Sequence, residues 1–205
     1  MSSYVAAIRR PPRTLTDIDQ ARLLKVTGEH RDGFRDHVIL SIALGTALRE
    51  HEIAALDVGD VLSLDGRVRR RIVLRVFKRS TPDPAPQEVF LPDSCWYKVQ
   101  KFIAWKQSRG ESLAQDAPLF ISRRRQRIAT RTLRELFHNW QKRAGLDQRY
   151  GFHVLRSSAL TAVYRRERDI LVVQRIARHK SVETTMLYAA PSDQDLFDAV
   201  RNQIC

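Results

Sequence analysis

The chain has 205 residues, enough to bury one good hydrophobic core but not two large ones. Its 36 Lys and Arg against 23 Asp and Glu leave a formal net charge of +13, spread along the chain instead of gathered in a tail, so a polyanion is the natural partner. No apolar run approaches the roughly 20 residues that span a bilayer, and the first residues lack the long apolar stretch of a signal peptide, so the expected setting is the cytoplasm, away from membranes. Cys95 and Cys205 make neither a disulfide framework nor a metal knuckle.

In chain order, residues 1–15 hold Arg9-Arg10-Pro11-Pro12-Arg13 with little hydrophobic periodicity, and read as a flexible basic arm. Thr16 or Asp17 caps a predicted helix to about Thr27, with Ile18, Ala21, Leu24 and Lys25 at helical spacing. A second helix is predicted from about Asp32 to Gly45, with Phe34, Val38, Ile39, Ile42 and Ala43 on one apolar stripe; a third, short helix carries Arg49, Glu52, Ile53 and Leu56. The pattern then changes. Residues 58–64, 71–77 and 88–91 are short and rich in β-branched side chains, separated by Asp65-Gly66 and by Pro82, Pro84 and Pro86, and predict a small antiparallel sheet. Lys78 falls where the second strand runs into the Pro-rich turn, on a hairpin tip able to move.

Helical patterns resume over about 93–108, 130–144, 154–166, 170–178, 182–187 and 193–203. The predicted fold class is mainly α with a small antiparallel β-sheet (α+β), as one domain over residues 16–205. The basic run Ser122–Arg127 predicts a turn whose charges are solvated or meet a polyanion.

The residues with the most chemistry are Arg49, Lys78, His153, Arg156, His179 and Tyr188, in that order. A tyrosine oxygen attacks phosphorus once its proton is managed and the charge of the pentavalent phosphate is neutralised by fixed cationic donors. His153 and Arg156 are three residues apart, on one face of a helix, and an arginine fork can hold two nonbridging oxygens. Arg49 can clamp the same phosphate from another helix, with Glu52 on its face to orient the guanidinium. Each residue alone has a plainer reading: arginines in ordinary salt bridges, histidines packed or capping, Tyr188 in the core. The ordered set carries the argument.

These residues resemble the tyrosine recombinase, or phage integrase, family, over nearly the whole chain. Ala47-Leu48-Arg49-Glu50-His51-Glu52-Ile53-Ala54-Ala55-Leu56 matches the family's first box, His153-Val154-Leu155-Arg156 its second, and His179 with Tyr188 its third. Lys78 falls at the family's hairpin lysine, although Phe77-Lys78-Arg79-Ser80-Thr81 departs from the usual Gly-Lys-Gly and leaves Arg75 or Arg79 as substitutes. Ser157 stands where many members have a second histidine, and Arg178 replaces the usual glycine before His179.

The resemblance implies the tyrosine recombinase catalytic-domain fold and a site-specific recombinase that needs no metal, nucleotide or other cofactor. Tyr188 would form a 3′-phosphotyrosyl link and free a 5′-hydroxyl, with Arg49 and Arg156 on the nonbridging oxygens. Lys78 would be the general acid, His153 would assist proton transfer, and His179 would bond the phosphate. Double-stranded DNA would be the partner, bound by a homo-oligomer, a tetramer on DNA, that exchanges C-terminal helices, with accessory DNA-binding proteins as further partners. Leu196, Phe197 and Val200 share a helical face suited to that docking or to the chain's own core. Family members usually carry a separate core-binding domain before the catalytic one; here about fifteen residues precede the first helix, as in a short member or an isolated catalytic domain. The competing readings are type IB topoisomerase-like relaxation and a DNA-binding regulator of the same fold with weak catalysis.

Overall fold

A computed structural model of the chain describes residues 12–74, 87–189 and 200–201, and the structural statements below concern those residues. Chain order runs α1 (Asp17–Glu29), α2 (Phe34–Thr46), α3 (Glu50–Ala55), α4 (Val58–Val61), β1 (Arg71–Leu74), β2 (Gln87–Phe90), α5 (Asp93–Ser108), α6 (Thr130–Arg143), α7 (His153–Glu167), α8 (Ile170–Ala177) and α9 (Val182–Met186). The mainly helical α+β class follows, with one two-stranded antiparallel sheet in which Ile72 faces Val89. Lys78 and nearly all of the predicted last helix lie outside the described residues.

Thr16 caps α1: its Oγ1 accepts from the Asp19 N–H, and the Asp19 carboxylate reaches back to the Thr16 N–H. The buried face of α1 differs from the predicted one. Leu23 and Thr27 are buried four residues apart, whereas Ile18 is exposed, because α1 turns its Leu23 edge toward α2 and α6. Leu15, the last residue assigned to the predicted arm, is buried, and its N–H donates to Ser158 Oγ on α7 at 2.8 Å.

α2 is the centre of the molecule. Val38 through Ala43 are all buried, and α1, α5 and α7 pack around them. A helix covered on every side belongs in the middle of a core, so the single stripe read from the sequence understates it. The predicted strand at 58–64 is instead the short helix α4 followed by an isolated bridge between Leu62 and Val68. Capping overrides β-propensity here: the Asp57 N–H donates to Asp60 Oδ2 at 2.8 Å, while Val58 and Gly59 N–H groups donate to the carbonyls of Ala117 and Gln115.

The basic turn forms as predicted. Ile121 and Arg127 bridge, Arg123, Arg124 and Arg125 are exposed, and Arg127 donates to the carbonyls of Ala55 and Leu56 and to Asp57. That last set ties the turn to the end of α3, the helix that presents Arg49.

Candidate active site

Two helices end in left-handed residues that face each other across α7. α2 closes at Ala47, φ 53°, and α8 at Arg178, φ 55°. Into the space between reaches Arg156 from the first turn of α7, only 2% exposed. Its Nη1 donates to the Ala47 carbonyl, and its Nη2 donates to the Ala177 carbonyl at 2.5 Å and to His179 Nε2 at 3.1 Å. Carbonyls at helix C-termini lack intrahelical partners and carry the negative end of the dipole, so they hold a guanidinium without cancelling its charge. Burial, Arg49 and Arg178 push the Arg156 pKa down to about 10: the cation persists at neutral pH in surroundings that would be relieved by an anion.

His179 is fixed from both sides. A guanidinium can only donate, so Nε2 accepts from Arg156; the ring proton then sits on Nδ1, which donates to Thr185 Oγ1 at 3.0 Å. Burial first, then Arg156, Arg49 and Arg178, with His153 adding the smallest part, lower its pKa to about 4, which keeps the imidazole neutral. The Tyr188 ring lies against it, with centroids 5.9 Å apart and planes 21° from parallel. Tyr188 is buried in a small cluster with Ala47, Ala159, Leu160, Val173 and Ala177, so the plain core reading of this tyrosine and its place beside Arg156 and His179 hold together.

Arg49 is the N-cap of α3. Glu52, one turn on, binds it twice: Oε2 accepts from the Arg49 N–H at 2.7 Å and Oε1 from Nη1 at 3.0 Å. The orientation of Arg49 by Glu52 expected from their spacing is thus formed. Glu52 is itself buried and also accepts from Arg178 Nη2. Burial alone would raise its carboxyl pKa, but Arg178, the Arg49 N–H and the Arg49 guanidinium bring it below the ordinary value.

His153 begins α7 and lines a cleft of about 680 Å³ with Arg49 and Arg156. Burial, Arg156 and Arg49 lower its pKa, with Glu50 opposing. The structure therefore brings five of the six predicted site residues together; Lys78 is outside the described residues.

Other participants escaped the sequence reading. The carbonyls of Ala47 and Ala177 and the Thr185 hydroxyl carry no side-chain signature of a site. Arg134, His138, Arg149 and Tyr150 line the same cleft. The four-residue spacing of Arg134 and His138 on α6 was the available signal. Chemically, Arg49 and Arg178 both pair with Glu52, and Arg156 lies close enough to feel all three, so among the described residues three guanidiniums share this carboxylate. That leaves a positive site beside a tyrosine, suited to an anion that gains charge during reaction.

The phage integrase family model matches residues 13–195. Tyrosine recombinase XerC of Caldanaerobacter subterraneus subsp. tengcongensis is 26% identical over 202 residues, covering 98% of this chain and 53% of the relative, so the chain spans about half of that relative's length. The crystal structure of XerA recombinase superposes with a TM-score of 0.77 at 25% identity, over 96% of this chain and 67% of that one. The XerH site-specific recombinase, solved bound to a palindromic difH substrate as a post-cleavage complex, shares the fold with a TM-score of 0.75 at 20% identity, over 94% of this chain and 54% of that one. With the family model running through all three boxes and the helix ends folded around Arg156, the chain belongs to the phage integrase family, as a tyrosine recombinase catalytic domain.

Proposed function

We propose that this chain breaks and rejoins DNA strands through a covalent bond between Tyr188 and a 3′ phosphate. The observation that carries the reading is the buried Arg156, held by two helix-end carbonyls and His179, with its charge left uncancelled beside Tyr188. A phosphodiester is the anion that fits. It enters with one negative charge, gains more as the fifth oxygen approaches, and is stabilised most by cations already in place. The net charge of +13 supplies long-range attraction to duplex DNA, and the DNA complex of the structurally similar XerH supports the same ligand class.

In this reading the Tyr188 oxygen attacks phosphorus, and the bond from phosphorus to the 5′ oxygen breaks. The tyrosine proton passes by way of neutral His153, and the leaving 5′ oxygen takes a proton from Lys78. Arg49 and Arg156 hold the nonbridging oxygens. His179 acts first on Arg156, since its Nε2 is engaged there; a bound phosphate would raise its pKa and let it donate to the phosphate in turn. Attack by the 5′-hydroxyl of another strand reverses each step, and the covalent link conserves the bond energy. Residues 16–205 form the catalytic unit, working as a tetramer on DNA that exchanges C-terminal helices, with accessory DNA-binding proteins as further partners.

The test is to incubate the full chain with a pool of nicked duplexes whose central positions are randomised, and to recover protein-linked DNA. Recovery of a linked sequence with wild type and none with Tyr188→Phe supports the reading. An adduct that persists in Tyr188→Phe, or no linked DNA from any pool, rejects it.

A further inference from the structure

Arg178 is the residue of the site that its backbone explains least. It closes α8 at φ 55° and ψ 45°, a left-handed conformation that glycine enters freely and a side chain with a Cβ resists. Its side chain nevertheless turns inward, to 8% exposure, and crosses to α3, where Nη2 meets Glu52 Oε2 at 2.5 Å. Its Nε is buried without a hydrogen-bond partner among the described residues. An arginine buried in a disfavoured backbone conformation, with one donor unsatisfied, is held there by its ion pair.

The pair links the end of α8 directly to α3. α8 packs on α7 and α9, while α3 packs on α2 and α6. On one side of Arg178 is Ala177, whose carbonyl grips Arg156; on the other is His179, which grips Arg156 and lies against Tyr188. On the far side of Glu52 is Arg49. Glu52 Oε2 is shared between the Arg49 N–H and Arg178, so Arg178 also limits how far the carboxylate can turn onto the Arg49 guanidinium. Without Arg178, Glu52 Oε2 keeps only the Arg49 N–H, and the carboxylate gives more of its charge to the Arg49 guanidinium, at the expense of the charge meant for the phosphate.

We propose that Arg178 is a positioning residue for phosphoryl transfer: by holding Glu52 it keeps Arg49 available to the phosphate and pins the His179–Tyr188 segment to α3. It acts through Glu52 and does not touch DNA. The proposal rests on the reading of the site given above, so its test has one readout that needs cleavage and one that does not.

Arg178→Gly, Arg178→Met and Arg178→Lys are compared with the wild-type full chain. Glycine suits the left-handed backbone and methionine keeps the bulk, so neither result reduces to a lost fold, which thermal unfolding checks. The first readout is the single-turnover rate of adduct formation on the recovered duplex, alongside DNA affinity. The expected result is a slowing of about tenfold to a hundredfold in the Gly and Met variants with affinity unchanged, and partial recovery in the Lys variant. Wild-type rates in Gly and Met overturn the proposal. The second readout is the NMR titration of His179 in the DNA-free chain. Arg156, Arg49, Arg178 and His153 all face this ring, and loss of Arg178 should raise its midpoint from about 4 while Lys retains it. An unmoved midpoint in Gly and Met overturns the proposal even if no DNA is cleaved, whereas a moved midpoint in a chain that never forms an adduct rejects the phosphoryl-transfer reading and leaves the Arg178 linkage standing.

Discussion

Nη2 of Arg156 lies 3.1 Å from Nε2 of His179, and because the arginine can only donate, the histidine accepts there and turns its proton toward Thr185. The two residues therefore hold each other's chemical state. Burial first, and then the charges of Arg156, Arg49 and Arg178, bring the ring's pKa to about 4, and a proton on Nε2 would also set a donor against a donor.

This lowered pKa predicts how stability changes with acid. In the unfolded chain His179 titrates near its ordinary 6.5, and in the folded chain near 4. Between those values the unfolded state binds the extra proton, so the contribution is complete above about 6.5, falls as the pH drops toward 4, and changes no further below. His153 is also lowered and adds in the same direction. His179→Gln removes one of these titrations, so its melting temperature should fall less steeply than the wild type's between pH 6.5 and 4, measured by calorimetry. Parallel curves for the two proteins would show that His179 is not held neutral by the fold.

Arg156→Lys keeps the charge but loses the planar fork that spans the ends of α2 and α8. Adduct formation is expected to fall by about a hundredfold to a thousandfold, the usual effect of removing one preorganised donor. DNA affinity should change little, because a 2% exposed residue contributes one phosphate contact among many. Single-turnover trapping and an equilibrium binding titration separate the two. A parallel loss of affinity and rate would make Arg156 a general anchor for DNA instead of a group that acts in the transition state.

The helices and the order of the six residues were legible because both are local. Thr16 and Asp19 form a capping box, and His153 and Arg156 sit one helical turn apart. What escaped depends on contacts between distant segments. Residues 58–61 are β-branched in part, yet the bond between the Asp57 N–H and Asp60 and the neighbouring carbonyls of Ala117 and Gln115 select a helix. The buried edge of α1 was decided by where α2 and α6 lie. Ala47 and Ala177 act through carbonyls, which every residue possesses, so no residue type marks them. Arg178 was visible as a departure from glycine, but its bond to Glu52, 126 positions away, is a property of the fold.

The support beneath α3 can be tested through Lys106 and Glu111, whose side chains are 1% and 8% exposed and meet at 2.8 Å. Lys106 also donates to the Pro118 carbonyl, and Leu119 next to it donates to the Leu56 carbonyl at the end of α3. Glu111→Gln leaves a buried ammonium without its counter-charge and is expected to cost about 3–5 kcal/mol of stability in urea unfolding. Lys106→Met combined with Glu111→Leu should recover most of that loss, because an apolar pair needs no charge balance. If the double variant is no more stable than Glu111→Gln, packing around the pair governs this region and the charges do not.

Lys78 is proposed as the general acid, and its role is separable from the arginines by changing the leaving group. A 5′ oxygen leaves as a poor, strongly basic alkoxide unless it is protonated, whereas a bridging sulfur leaves as a thiolate whose conjugate acid has a pKa of about 8.5. Lys78→Ala should slow cleavage of the ordinary phosphodiester by about 10²–10⁴-fold. On a duplex with sulfur at the bridging 5′ position the same variant should approach the wild-type rate, while Arg156→Ala should remain slow on both substrates because its charge acts on the nonbridging oxygens. A Lys78→Ala defect of equal size on oxygen and sulfur would remove Lys78 from the proton transfer. The same substrate pair applied to Arg75→Ala and Arg79→Ala would then identify the donor, since only the residue that protonates the leaving oxygen becomes dispensable when that oxygen is replaced.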